Sequence, residues 1–125
     1  MQNQDWRILV VEDESDSREM IHDILVFHGI DAVTTATAED ALYVLEDITP
    51  HLILVDLALP GMDGWQLLGE LRENPTLQHI PRVAITAFHS ASVAQHAITA
   101  GFHAYMPKPI DASTFVDELL AILAK

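Results

Sequence analysis

The sequence predicts an α/β protein, a three-layer sandwich in which one five-stranded parallel sheet is covered by five helices. Three observations predict it. Short apolar runs of strand length recur, as at Ile8–Val11 and Leu52–Val55, and unbroken apolarity marks strands buried on both faces. Segments with apolar residues at helical spacing separate these runs. Gly or Pro marks the junctions, as at Gly29, Pro50, Pro60-Gly61 and Gly101. Strands alternating with helices imply right-handed crossovers around a parallel sheet.

Ile8-Leu9-Val10-Val11 ends in Glu12-Asp13-Glu14, a buried strand that stops at an acidic loop. Ile21, Ile24, Leu25 and His28 follow at helical spacing, with acids in the first turn, where the helix dipole favours them, and Gly29 as the stop. Ala32-Val33-Thr34-Thr35 reads as a second, less apolar strand. Thr37-Ala38-Glu39-Asp40 resembles a capping box with Asp in place of Glu and opens a helix through Ala41, Leu42 and Leu45; Pro50 ends that unit.

The third strand, Leu52-Ile53-Leu54-Val55, runs straight into Asp56 and breaks at Pro60-Gly61. A doubly buried strand would thereby present one carboxylate at the sheet edge, where open α/β sheets bind ligands. An Asp that merely caps a loop would read the same from this stretch alone. Trp65, Leu68 and Leu71 then share one face of a helix that Asn74-Pro75 terminates, with Trp65 read as a packing residue. Pro81 precedes the fourth strand, Arg82–Thr86, whose last residue carries a hydroxyl. Ser92 to Ala100 forms a helix of mostly small residues, free of Lys, Arg, Asp and Glu and closed by Gly101. Ala104-Tyr105-Met106 is a minimal fifth strand, followed by Pro107-Lys108-Pro109. Asp111 is placed to cap the last helix, built on Phe115, Leu119 and Ile122 with Val116, Leu120 and Leu123 as a second stripe.

The 125 residues fit one domain, and with half of them apolar they suffice for one core. Six Lys and Arg against nineteen Asp and Glu leave a net charge of −13, which disfavours nucleic acid and anionic membranes and favours protein surfaces or small cations as partners. The start has no basic region followed by an apolar stretch, and no apolar run reaches membrane-spanning length, so a soluble intracellular protein is expected. The absence of cysteine excludes disulfides, thiolate catalysis and Cys-based metal sites.

In a parallel sheet all carboxyl ends lie on one edge, so Glu12, Asp13, Asp56, Thr86 and Lys108, each at or just after a strand end, gather on one rim. Three crowded carboxylates raise one another's pKa, so the rim requires a divalent metal, a lysine, or both. Oxygen-only donors suit Mg²⁺ or a similarly hard ion. The only other lysine is Lys125, and Lys108 would serve as the point-charge partner of a transferring phosphoryl group. A carboxylate can itself be the nucleophile, giving an aspartyl phosphate.

Four stretches then carry a resemblance: Val10-Val11-Glu12-Asp13; Val55-Asp56-Leu57 with Pro60-Gly61-Met62-Asp63-Gly64; Ile80-Pro81-Arg82-Val83-Ala84-Ile85-Thr86-Ala87; and Tyr105-Met106-Pro107-Lys108-Pro109. In this order and spacing they resemble the receiver domain of the two-component response regulators, over nearly the whole chain. The resemblance implies a flavodoxin-like sandwich with strand order 2-1-3-4-5 and one receiver domain over residues 1–125; with no output domain after the fifth helix, a stand-alone regulator or phosphorelay shuttle is expected, and a piece of a longer kinase or regulator would read the same. It implies a cytoplasmic phosphorylation switch and not an enzyme, in which Asp56 takes a phosphoryl group from a histidine kinase or histidine phosphotransfer protein. Asp13 and Asp56 would bind Mg²⁺ directly, the Ala58 backbone carbonyl would add an oxygen, and Glu12 would help through water. Lys108 would pair with a phosphoryl oxygen, beside a Lys108-Pro109 bond expected to be cis. Thr86 would move to the phosphate and Tyr105 would follow it inward, changing the surface of the fourth helix, fifth strand and fifth helix where a downstream protein docks.

Ala58 and Phe88, two residues past Asp56 and Thr86, have no side chain that activates water, and Phe88 is bulky enough to act as a shield, so a long-lived phosphorylated state is expected. Among the seven histidines, His89, His96 and His103 are spaced seven apart but fall towards opposite sheet edges, and they are read as surface or packing residues. Dimers built on charged residues of the fourth and fifth helices are disfavoured, because no basic residue stands there before Lys125. The runner-up function is a receiver-like protein-binding module that works without phosphorylation. An aspartyl-phosphate phosphatase of the dehalogenase-like class would need a second acid where Ala58 stands. A flavodoxin-like flavin carrier would need a hydroxyl- and glycine-rich loop where Glu12-Asp13-Glu14 repels phosphate.

Overall fold

A computed structural model describes residues 5–124. Ten elements alternate along the chain: β1 (Arg7–Val11), α1 (Ser15–Phe27), β2 (Asp31–Thr35), α2 (Ala38–Val44), β3 (Leu52–Asp56), α3 (Gly64–Glu73), β4 (Arg82–Thr86), α4 (Ala91–Ala100), β5 (Ala104–Pro107) and α5 (Phe115–Leu123). The strands pair in parallel in the order β2-β1-β3-β4-β5, as expected.

The unbroken apolar runs are explained by two cores, one on each side of the sheet. Leu9, Val11, Ile53, Val55 and Ala84 face the core closed by α2, α3 and α4, where Ala41, Leu67, Leu71 and Ala97 are buried. The intervening residues Ile8, Val10, Leu52, Leu54, Val83 and Ile85 face the core closed by α1 and α5, through Ile21, Leu25, Phe115 and Leu119. Each such fully buried Leu or Ile contributes about 1.5–3 kcal/mol of hydrophobic stabilisation. No helix among the described residues is long and apolar enough to cross a membrane.

Several local expectations need correction. Thr37 does cap α2, its hydroxyl accepting from the Asp40 N–H, but the reciprocal half of a capping box is missing, since the Asp40 side chain is one methylene shorter than the Glu that normally reaches back. A complete box stands instead at α3: Asp63 accepts from the Gln66 N–H while Gln66 accepts from the Asp63 N–H, both at 2.9 Å. Asp111 caps not the last helix but the turn before it, bonding the Ser113 N–H and hydroxyl, so that α5 begins only at Phe115. His28 sits at the C-terminal end of α1 and is exposed, its ring Nδ1 2.9 Å from the Ile24 carbonyl.

Two glycines shape the β3–α3 turn that follows Asp56. Gly61 has φ +69°, a left-handed conformation that only glycine adopts readily. Gly64 opens α3 directly under the strand end: a Cβ there would lie 2.5 Å from the Asp56 carbonyl oxygen and 2.7 Å from the Leu57 Cα. The helix therefore approaches the strand end closely only because residue 64 has no side chain.

Candidate functional site

Strand register assembles the rim. Val11 pairs with Val55, so the next residues, Glu12 and Asp56, end adjacent strands at the same level. Ile85 pairs with Asp56, and Thr86 with Pro107, which brings Thr86 and Lys108 to the same edge from the other side. The Lys108 N–H donates to the Thr86 carbonyl at 2.9 Å, and the Lys108-Pro109 bond is cis.

Lys108 Nζ donates to Glu12 Oε1 at 2.6 Å and to Asp56 Oδ2 at 3.1 Å. One ammonium thus bridges two carboxylates. Glu12 is fully buried, and both of its oxygens have partners: Oε1 also accepts from the Ser17 hydroxyl at 3.0 Å, and Oε2 from the Glu14 N–H at 3.1 Å. Asp56 Oδ1 accepts from the Ala58 N–H at 2.9 Å, so the carboxylate does close the loop after β3 while its other oxygen meets Lys108. Asp13 is exposed at the mouth. Glu12, Asp13 and Asp56 can each offer one oxygen within 4.8 Å of the others.

The electrostatics follow from this crowding. Burial pushes the Glu12 carboxyl above its usual range; Lys108 draws it down, and the neighbouring Asp56 carboxylate pushes it up again. Burial alone would lower the Lys108 ammonium, but its bonds to Glu12 and Asp56 outweigh that effect and hold it above the ordinary lysine value. The site is therefore a compact anionic cluster that one lysine only partly neutralises.

The structure joins Lys108 to Glu12 and Asp56 by hydrogen bonds and places an Asp13 oxygen within 4.8 Å of both carboxylates. Thr86 shares the rim, but it is buried and its hydroxyl accepts from the Phe88 N–H at 3.0 Å. Tyr105 lies half-buried on β5 with its phenolic oxygen buried and without a hydrogen-bond partner. One expectation is corrected: Asp56 sits at the sheet edge but is not openly presented, since only 5% of its side-chain surface is exposed beneath Lys108. Phe88 is 76% exposed, its ring turned to solvent.

The histidines do not converge. His89 is exposed in the loop after β4, the His96 ring stacks obliquely on Trp65 with centroids 5.0 Å apart, and His103 Nδ1 accepts from the Arg82 N–H at 3.1 Å before β5. Trp65 also packs edge-on against Phe102, as a packing residue should. Two arginines escaped the sequence reading. Arg82 is buried and ties Gln78 and Gly101 carbonyls together, while Arg18 on α1 donates to the carbonyls of Glu12 and Asp13. The three-residue acidic loop directly before Ser15 was the available signal for Arg18, but an arginine on a helix face reads first as surface.

Comparison with known proteins points the same way. The family model of the response regulator receiver domain matches residues 8–120. An uncharacterized 14.6 kDa protein of Leptolyngbya boryana is 38% identical over 104 residues, covering 83% of this chain and 79% of that protein. The polar-differentiation response regulator DivK of Brucella ovis is 28% identical over 116 residues, covering 93% and 94%. Among solved structures, a protein of Chloroflexus aurantiacus assigned as a response regulator superposes with TM-score 0.91 at 28% identity, covering 98% and 100% of the two chains. The receiver domain of the sensor histidine kinase PA1611 from Pseudomonas aeruginosa, solved with a magnesium ion in its active site cleft, has the same fold, with TM-score 0.88 at 24% identity over 98% of this chain and 100% of that one. With the match running from β1 into α5, the chain belongs to the response regulator receiver domain family.

Proposed function

We propose that residues 1–125 form a phosphorylation-dependent switch of a two-component system or phosphorelay, with Asp56 as the phosphoacceptor. The observation that carries this reading is the single ammonium of Lys108 bridging Glu12 and Asp56 beside the exposed Asp13. Such a cluster is poised for an incoming group that is itself anionic and arrives with cations. Of the two bridged carboxylates, Asp56 is the better nucleophile. Three donors occupy Glu12, whereas Asp56 meets one loop N–H and the lysine.

In the proposed transfer, an Asp56 carboxylate oxygen attacks the phosphorus of a phosphohistidine on a histidine kinase or histidine phosphotransfer protein. The new O–P bond forms as the P–N bond breaks, and the bonding pair leaves with the histidine nitrogen, which takes up a proton. Lys108 shifts its charge to a phosphoryl oxygen. The donor set suits Mg²⁺: all the available donors are oxygens, and Glu12, Asp13 and Asp56 each offer one within 4.8 Å of the others. Asp13, Asp56 and the Ala58 carbonyl would hold the ion directly. Glu12, whose oxygens already have partners, would reach it through water. When bound, the ion supplies neutralisation of the charge that gathers between carboxylates and phosphoryl oxygens. The magnesium in the related kinase receiver domain supports this assignment.

Thr86 and Tyr105 act as the switch. An unbonded buried hydroxyl costs about 1–3 kcal/mol, so the orphaned Tyr105 oxygen supports a second position that opens once the Thr86 hydroxyl leaves the Phe88 N–H for the phosphate. The surface so altered, made by α4, β5 and α5, receives the downstream protein, and signalling of this kind takes place in the cytoplasm.

The test is incubation with acetyl phosphate and Mg²⁺, read on a phosphate-affinity gel. Wild type should shift, and Asp56→Asn or chelated wild type should not. An unshifted wild type would overturn the reading in favour of a protein-binding module.

A further inference from the structure

Arg18 lies one turn into α1, and its Nη1 donates to two consecutive backbone carbonyls, Glu12 at 3.0 Å and Asp13 at 3.2 Å. The Asp13 carbonyl and the Glu14 N–H belong to one peptide plane and point in opposite directions. With the carbonyl turned towards Arg18, the N–H faces the Glu12 carboxylate, to which it donates at 3.1 Å. One guanidinium nitrogen therefore governs both the course of the loop that carries Asp13 and a bond that holds Glu12. The neighbouring Ser17 hydroxyl grips the other Glu12 oxygen, and the Arg18 N–H closes on the Glu14 carbonyl at 2.9 Å, so the start of α1 encloses the loop. Among the described residues Arg18 forms no ion pair, although the chain carries nineteen acids.

We propose that Arg18 is a positioning residue for the cation site, holding the Glu12-Asp13-Glu14 backbone so that the Glu12 and Asp13 side chains face Asp56. This rests on the magnesium reading above. The placement sets two effects against each other. A positive charge near a cation site weakens metal binding, whereas a clamp on the ligand-bearing loop strengthens it. Arg18 is a net gain only if the clamp wins.

Calorimetric titration with Mg²⁺ and NMR amide exchange on metal-free protein decide the matter. Arg18→Gln keeps only the first two methylenes of the stem and cannot reach the carbonyls, and it should bind Mg²⁺ about tenfold more weakly despite losing a positive charge. Its Glu14 amide should lose protection while those of Leu9 and Val10 in β1 do not. Arg18→Lys, which keeps a charged donor, should recover part of both losses. Arg7→Gln removes an equal charge at the opposite end of the sheet and should leave both unchanged. Binding by Arg18→Gln as tight as wild type or tighter, or an unchanged Glu14 amide, overturns the proposal. If wild type binds no Mg²⁺, the magnesium assignment itself falls, and the metal-free exchange decides separately whether Arg18 holds the loop.

Discussion

Lys108→Met removes the ammonium from the rim while keeping a stem of similar length. The side chain is 14% exposed, and its partners Glu12 and Asp56 are 0% and 5% exposed. Each charge-assisted bond contributes about 1.5–3 kcal/mol, and stranding a buried charge by deleting its partner costs about 3–5 kcal/mol. Glu12 can limit the damage by taking up a proton, because burial and Asp56 already hold its pKa high. The low end, about 3 kcal/mol at neutral pH, is therefore expected. For 125 residues the unfolding entropy is about 0.26 kcal/mol/K, so the melting temperature should fall by about 11 °C. The pH dependence has a definite sign. The raised Lys108 pKa means that its stabilisation is present from below the unfolded value of 10.5 and is lost only as pH rises through the still higher folded one. The raised Glu12 pKa means that acidification relieves the stranded charge, so the gap to wild type should narrow towards about pH 5. Added Mg²⁺ should narrow it too. Calorimetric melts in chelator, across pH, measure all of this. A variant melting within about 2 °C of wild type at neutral pH, or a gap that widens on acidification, would refute the reasoning.

Gly64→Ala would drive a methyl group into the Asp56 carbonyl and Leu57 Cα; it should cost about 1–3 kcal/mol in denaturant melts and slow phosphorylation by acetyl phosphate well beyond that loss. Phe88→Glu places a carboxylate where no side chain now orients water, and should speed loss of the phosphoryl group on the order of tenfold, followed by gel; decay no faster than wild type counts against a long-lived phosphorylated state. Burial and the Arg82 charge hold the His103 pKa below the ordinary 6.5, so its neutral form is the stabilising one, and that stability is present above 6.5 and lost as pH falls through the folded value. Wild type should accordingly lose more melting temperature than His103→Gln between neutral pH and about pH 5.

The sheet was legible because both of its faces are covered. Burial on two sides leaves unbroken runs such as Ile8–Val11 and Leu52–Val55, and a parallel sheet sends every strand end to one rim, so Glu12, Asp56, Thr86 and Lys108 could be grouped without coordinates. Strand order was not contained in periodicity and came through the family resemblance. What stayed hidden depends on reach and local angle. Asp40 and Gln66 differ by one methylene, and that decides which of two similar N-termini closes a full capping box. Asp111 bonds the turn before α5 and not the helix, a matter of dihedrals. Nor does spacing reveal that Arg18 turns inward to the Glu12 and Asp13 carbonyls, or that Lys108 roofs Asp56 and leaves it nearly buried.

The most direct measurement traps the acyl phosphate chemically. Wild type incubated with Mg²⁺ and a phosphorylated donor is reduced with borohydride, which converts an aspartyl phosphate to homoserine, and the peptides are mapped by mass spectrometry. Homoserine at position 56 and nowhere else is the expected result. Homoserine at position 13, or none anywhere after phosphoryl uptake, would contradict the assignment of Asp56 as the acceptor.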